Sequence, residues 1–154
     1  MAVSDPARGI VASVFSQVAI PLFGSAPLSL SDVTVTALDA VAARSSAAPR
    51  QSSPTTRRVF HHDDQVDVLL QIYQGTQRTE AMAPVSVRAR ILDAQGRTVR
   101  DQSLVFAETA FTNRRAGCHI AIDVEHLVPG KYVLSLDASL ARQTAARALR
   151  FAVQ

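Results

Sequence analysis

Val66-Asp67-Val68-Leu69-Leu70-Gln71-Ile72-Tyr73 is the stretch that decides how this chain reads. Val66, Val68, Leu70 and Ile72 fall on one face, and Asp67, Gln71 and Tyr73 on the other. Period two over eight residues is the pattern of a half-buried strand, because successive side chains of an extended backbone point to opposite faces. Val85, Val87, Ala89 and Ile91 repeat it, with Ser86, Arg88 and Arg90 spaced for the solvent face. Asp93-Ala94-Gln95-Gly96 follows, with an aspartate for the first turn position and a glycine for a left-handed one. Arg97-Thr98-Val99 leads the chain back, which predicts a hairpin.

The alternation returns in Cys118, Ile120, Ile122 and Val124, in Tyr132, Leu134 and Leu136, and in Leu149, Phe151 and Val153. Upstream, Val14, Val18 and Ile20 suggest a first strand, and Leu30, Val33, Val35 and Ala37 a second. In all, about seven to nine short strands with turn signals between them predict an all-β sandwich or barrel, not strand–helix–strand units. Two segments depart from the pattern. Residues 39–56 are a low-complexity run of Ala, Ser, Pro and Arg, expected to be a flexible insertion between strands. Ala138 to Ala148 has the propensity of a short helix but only Leu140 to anchor one, so a hairpin connection is preferred. The expected division is an N-terminal segment over 1–30 holding the first strand, then a sandwich domain over 31–154.

Leu127-Val128-Pro129-Gly130-Lys131-Tyr132 narrows the kind of sandwich. Leu127 is an apolar anchor, Pro129 fixes its own torsion, Gly130 permits a positive φ, and Tyr132 opens an alternating strand. A tyrosine so placed matches the tyrosine corner of Greek-key sandwiches, whose hydroxyl bonds back to upstream backbone. An ordinary tight turn before a strand is the alternative. The chain has no tryptophan, and Leu134 stands where antibody domains carry a cysteine. The antibody branch is therefore set aside for an immunoglobulin-like sandwich of the fibronectin type III kind. With Tyr132 starting strand F, the segment from Gly117 is E, that from Arg147 is G, and the hairpin at Gly96 joins C to C′ or D.

Composition agrees with one folded core. The chain has 154 residues, 47% hydrophobic and 19% charged. That apolar content is too high for a disordered tail, and one cysteine closes no intrachain disulfide. The stretch from Ile10 to Leu30 is broken by Gln17, Pro21 and Pro27, so no membrane helix is predicted. Asp5 offsets Arg8, and residues 24–27 make a poor cleavage site, so a secretory signal is not expected. There are 25 alanines, and 15 of the 16 cationic residues are arginine, but net charge is only +3 and the aromatic residues number eight. Single-strand nucleic-acid binding needs stacking platforms beside a basic groove, so none is expected. Arg88, Arg90, Arg97 and Arg100 are spaced to form a stripe across one hairpin.

His61-His62-Asp63-Asp64 is the one dense run of metal-ligand types. Neighbours in an extended chain diverge, and zinc ligands usually stand several residues apart, so the run reads first as a polar turn between Phe60 and Val66. Alternation sends Cys118 inwards and His119 outwards, which argues against a thiolate–imidazole pair. No nucleophile elbow, phosphate loop or dinucleotide fingerprint occurs. Neither a catalytic residue nor a cofactor is expected.

Pro21-Leu22-Phe23 and Pro27-Leu28-Ser29-Leu30-Ser31-Asp32-Val33, then Arg57-Arg58-Val59-Phe60, Leu127-x-Pro129-Gly130-x-Tyr132-x-Leu134 and Arg150-Phe151-Ala152-Val153, form a layout. It resembles the C-terminal β-sandwich region of bacterial, acidobacterial-type proteins related to von Willebrand factor A. The resemblance spans roughly 14–153 and its motifs are short and structural. It implies an accessory, extracytoplasmic module that contacts other domains of the same protein or a protein partner. The Asp-x-Ser-x-Ser metal string of the A domain itself is missing, since Ser29 and Ser31 precede Asp32. A ligand-binding sandwich, for carbohydrate or metal, is the alternative; it would use loops His61–Asp64 and Asn113–Gly117, provided they cluster at one end.

Overall fold

The computed structural model describes residues 2–5, 10–13, 23–38, 53–75 and 81–154. Twelve strands occur among them: β1 Ala2–Asp5, β2 Ile10–Ser13, β3 Leu28–Leu30, β4 Thr34–Leu38, β5 Ser53–Thr55, β6 Val59–Phe60, β7 Gln65–Gln74, β8 Val85–Leu92, β9 Thr98–Phe106, β10 Arg115–Ile122, β11 Gly130–Leu140 and β12 Gln143–Val153. The number exceeds the expected seven to nine because the early part of the chain forms short pieces. β1 and β2 make a separate antiparallel pair, and β3 and β4 pair with opposite ends of β7.

Two sheets carry the sandwich. One has the order β10-β7-β4-β5 with β3 also on β7, and the other β6-β12-β11-β8-β9. β6 lies parallel to the end of β12, and the remaining pairings are antiparallel. With Tyr132 at the start of strand F, β7 and β10 are B and E of one sheet, while β9, β8, β11 and β12 are C′, C, F and G of the other. This is the fibronectin-like, Greek-key arrangement. The hairpin at Gly96 joins C to C′: Gly96 has φ +78°, and the Asp93 N–H donates to the Arg97 carbonyl at 2.9 Å.

The alternating residues face inwards as their period requires. Leu30, Val35, Phe60, Val68, Ile72, Val85, Val87, Leu134 and Leu136 are fully buried and join Tyr132, Leu149 and Phe151 in one core. Phe60, Phe151 and Tyr132 form an aromatic row, with centroid separations of 6.3 and 5.6 Å.

Several boundaries move. Leu28 and Leu30 are core residues paired with Gln74 and Ile72, so the sandwich takes in residues assigned to the 1–30 segment. The strand expected at Val14, Val18 and Ile20 lies outside the described residues, as does most of the insertion expected over 39–56. The end of that insertion is ordered: Ser53–Thr55 pairs with Val35–Ala37. From Ala138 to Ala148 there is neither helix nor long loop, because β11 and β12 run on to a two-residue turn at Ala141-Arg142. Eleven consecutive cross-strand pairs join the two strands. That pairing overrides the helix propensity of the alanines, since propensity is a weak bias beside tertiary contacts.

Arginines close both lateral margins between the sheets. Arg100 stands opposite the buried Ile91, on the inner side of edge strand β9, and reaches Asp123 just after β10 at 2.9 Å. At the other margin Arg147 of β12 donates from Nε to the Ser31 carbonyl at 3.0 Å and from Nη2 to the Leu30 carbonyl.

Candidate functional site

His61 to Asp64 forms a turn built around one buried carboxylate. The Asp64 N–H donates to the His61 carbonyl at 3.1 Å, and Asp64 Oδ2 accepts the His61 N–H at 2.9 Å and Arg57 Nη2 at 2.7 Å. His62 turns aside, its Nδ1 3.2 Å from the Val124 carbonyl. The four side chains do not converge on a common point: Asp64 is engaged with Arg57, and His62 packs against the loop after β10. A polar turn accounts for this run.

The loop after β10 supplies a grouping that the sequence reading passed over. Asp123, Glu125 and His126 bring ligand-type atoms within 4.8 Å of one another. The spacing Asp-x-Glu-His was the available signal, hidden because it falls in a connection and not in alternating text. Asp123 and Glu125, together with Asp63 and Asp67, rim an acidic cleft at this end of the sandwich. Asp123 is already engaged, accepting from Arg100 at 2.9 Å and lying 2.9 Å from His126 Nδ1. The hydrogen bond from His126 and the Arg100 guanidinium hold the Asp123 carboxyl below the usual carboxylate range. Reciprocally, the Asp123 hydrogen bond raises His126 above the usual imidazole range. A cation here would have to compete with His126 and Arg100 for the Asp123 carboxylate.

The two loops required by a ligand-binding sandwich lie at opposite ends of β7. Val66, just after the His61–Asp64 turn, pairs with Ile122, whereas Tyr73 at the far end pairs with Arg115. Asn113 and Arg114 form a tight reversal with φ of 49° and 64°, and Arg114 Nε donates to the Gln74 carbonyl at 2.9 Å. The two loops therefore form no common site. Cys118 and His119 point to opposite faces: Cys118 is buried, which pushes its thiol up to about 11, while His119 Nε2 lies 2.8 Å from Asp67.

At the corner before β11, the Tyr132 hydroxyl donates to the Val128 carbonyl at 2.6 Å, with Leu127 buried beside it. Gly130 plays a different part from the one expected. It is extended and paired with Val153, its φ is not among the positive ones, and a Cβ there would meet Val128 O at an ordinary 3.7 Å.

The arginines do not form one stripe. On the outer face of the β6-β12-β11-β8-β9 sheet, Arg88 donates to Asp101 and Arg90 to Asp137 at 2.8 Å. Arg97 folds back on Asp93 at 2.7 Å, and Arg100 points to the inner side. Further along the outer face, Lys131 and Arg150 stand near Arg58 over a depression of about 470 Å³ floored by Val133 and Ala152.

No family model matches the chain, and no curated protein matches it. Solved structures do. A glycosyl hydrolase family 2 member from Bacteroides cellulosilyticus DSM 14838 aligns with 83% of this chain and 16% of its own, at 13% identity and a TM-score of 0.51. A second structure of a family 2 member from Bacteroides cellulosilyticus gives 12% identity and 0.50, covering 83% and 15%. A family 123 glycoside hydrolase from Clostridium perfringens aligns at 10% identity and 0.37, over 62% and 22%. The first two share the β-sandwich fold with this chain, which spans about a sixth of their length. Among the described residues no helix is long and apolar enough to cross a membrane.

Proposed function

We propose that this chain is a non-enzymatic interaction or spacer module of a larger bacterial envelope or secreted protein related to von Willebrand factor A proteins. Its contacts are with other domains of the same protein or with a protein partner, outside the cytoplasm, and it uses no cofactor. The observation that carries this reading is the pair of edge strands at one margin. Among the described residues β9 pairs only with β8 and β10 only with β7. β9 carries the protective devices of a solvated edge, with inward-facing Arg100 and Gln102 and an irregularity opposite Ile91-Leu92. β10 carries neither; its inner residues are Ala116, Cys118, Ile120 and Ile122, all buried, and it has no proline. An edge of this kind is suited to accepting an added strand. The same fold occurring as one part of far longer glycosyl hydrolase chains supports the module reading at the level of architecture.

Calorimetric titration against the adjoining domains of the same gene product tests this. Binding that is lost in Ala121→Lys, with unfolding unchanged, is the expected result. Heat-free titrations with every adjoining domain, or turnover on a glycoside substrate by this chain alone, would overturn it.

A further inference from the structure

The outer face of the β6-β12-β11-β8-β9 sheet divides into two electrostatic halves. In one half each arginine has its carboxylate: Arg88 with Asp101 and Arg90 with Asp137. In the other, Lys131 lies opposite Ala152 and Arg150 opposite Val133, which sets the two cations on adjacent strands of one surface. Arg58 also lines the depression, its backbone held beside Ala152 by the Ala152 N–H donating to its carbonyl at 2.8 Å. Among the described residues Asp93 is the only acid lining this depression, and its carboxylate is used within its own turn, by the N–H groups of Gln95 and Arg97 at 2.9 Å and by Arg97 Nε at 2.7 Å. Arg58 Nη1 is turned to the carbonyls of Thr55 and Arg57, which neutralises none of its charge. Among the described residues, three cationic side chains thus line one depression with Val133 and Ala152 and with no free carboxylate between them.

We propose that this corner is a docking surface for an acidic peptide segment of a protein partner, whose carboxylates pair with Lys131, Arg150 and Arg58 while an aliphatic side chain sits on Val133 and Ala152. Charge complementarity gives the sign of the partner, and the floor gives its class. A sugar or a nucleobase needs an exposed ring to stack on, whereas the nearby Tyr132 and Phe151 rings are buried in the core. This rests on the reading of the chain as an interaction module, but it uses a different face from the β10 edge.

The test is titration of the isotopically labelled chain with a peptide alternating glutamate and valine, followed by backbone amide shifts at about 50 mM and about 300 mM salt. Expected are shifts centred on Lys131, Val133, Arg150 and Ala152, weakened by salt, and at least about tenfold weaker binding in Lys131→Glu/Arg150→Glu. Arg142→Glu, at the far hairpin turn, should bind as the parent does, and thermal unfolding of both variants should match it. Shifts that map elsewhere, binding that survives the double charge reversal, equal binding of a glutamine–valine peptide, or tighter binding of a sulfated oligosaccharide or oligonucleotide would each overturn the proposal. Because Ala121→Lys leaves this corner intact, loss of edge binding and loss of corner binding are read separately.

Discussion

Arg57 Nη2 lies 2.7 Å from the Asp64 carboxylate, whose side chain is 1% exposed while the arginine retains 33%. The guanidinium also sits over the Phe60 ring, 5.4 Å from its centroid. The pair therefore ties the approach to β6 to the start of β7 and leaves Asp64 no route to water. Removing one partner of a buried pair leaves the other charge uncompensated, at about 3–5 kcal/mol. With Arg57 partly solvated, Asp64→Ala should cost about 3 kcal/mol, near the lower end of that range, seen as a lower denaturant midpoint at unchanged slope. A chelator should leave the midpoint of the parent chain unmoved, because an arginine and a backbone N–H already satisfy the carboxylate.

Tyr132→Phe keeps the ring in the core and deletes the 2.6 Å bond to the Val128 carbonyl. A loss of about 1 kcal/mol is expected from the missing hydrogen bond. Gly130→Ala, with ordinary contacts for its new Cβ, should stay within about 0.5 kcal/mol. Chemical unfolding of the two variants side by side separates the roles; an equal loss in both would mean that the corner depends on the glycine.

Ala141 holds the turn between β11 and β12 with φ 51°, a left-handed torsion unfavourable for a residue bearing a Cβ. Ala141→Gly relieves that strain, partly offset by the greater freedom of glycine in the unfolded chain. A net gain of about 0.5 kcal/mol is expected, measured as a raised unfolding midpoint.

The Cys118 thiol, buried and raised to about 11, should not react with an aromatic disulfide reagent at neutral pH while the chain is folded. Stoichiometric reaction should appear only through the unfolding transition. Rapid labelling in native buffer would show that β10 opens locally.

His126 and Asp123 give a signed pH dependence. The folded His126 pKa is raised by the Asp123 hydrogen bond, so its contribution is present below the ordinary imidazole range and is lost as pH rises through the raised value. The Asp123 pKa is lowered, chiefly by the hydrogen bond from His126, so its contribution is present above the ordinary carboxylate range and is lost as pH falls through the lowered value. The pair is therefore strongest between those two ranges. Proton resonance titration should place the His126 midpoint above that of a free imidazole, and Asp123→Asn should bring it back down.

Period two in Val66–Tyr73, Val85–Ile91, Cys118–Ile122 and Leu149–Val153 was enough to place these residues in strands and to choose their inward faces, because a strand reports its burial through simple alternation. The Tyr132 corner was legible for a related reason: its partner is four residues away in the same chain. The short pieces were not legible. β5 carries no alternation to read over Ser53–Thr55, and β3 earns its place by pairing with Gln74–Ile72, more than forty residues on. The alanines between Ala138 and Ala148 had an ambiguous local preference, which the ladder between β11 and β12 resolved.

Charge shows the division most clearly. Sequence alone determined that positive charge in this chain is arginine at every position but Lys131, that net charge is modest, and that Arg88 and Arg90 face solvent. Which arginines keep free charge was decided by tertiary structure. Asp101, Asp137 and Asp123 reach Arg88, Arg90 and Arg100 only across strand pairs or between sheets, whereas Lys131 and Arg150 meet alanine and valine. Alternation is a property of one strand and can be read along it. Ion pairing depends on the register between strands, which the folded sandwich alone supplies.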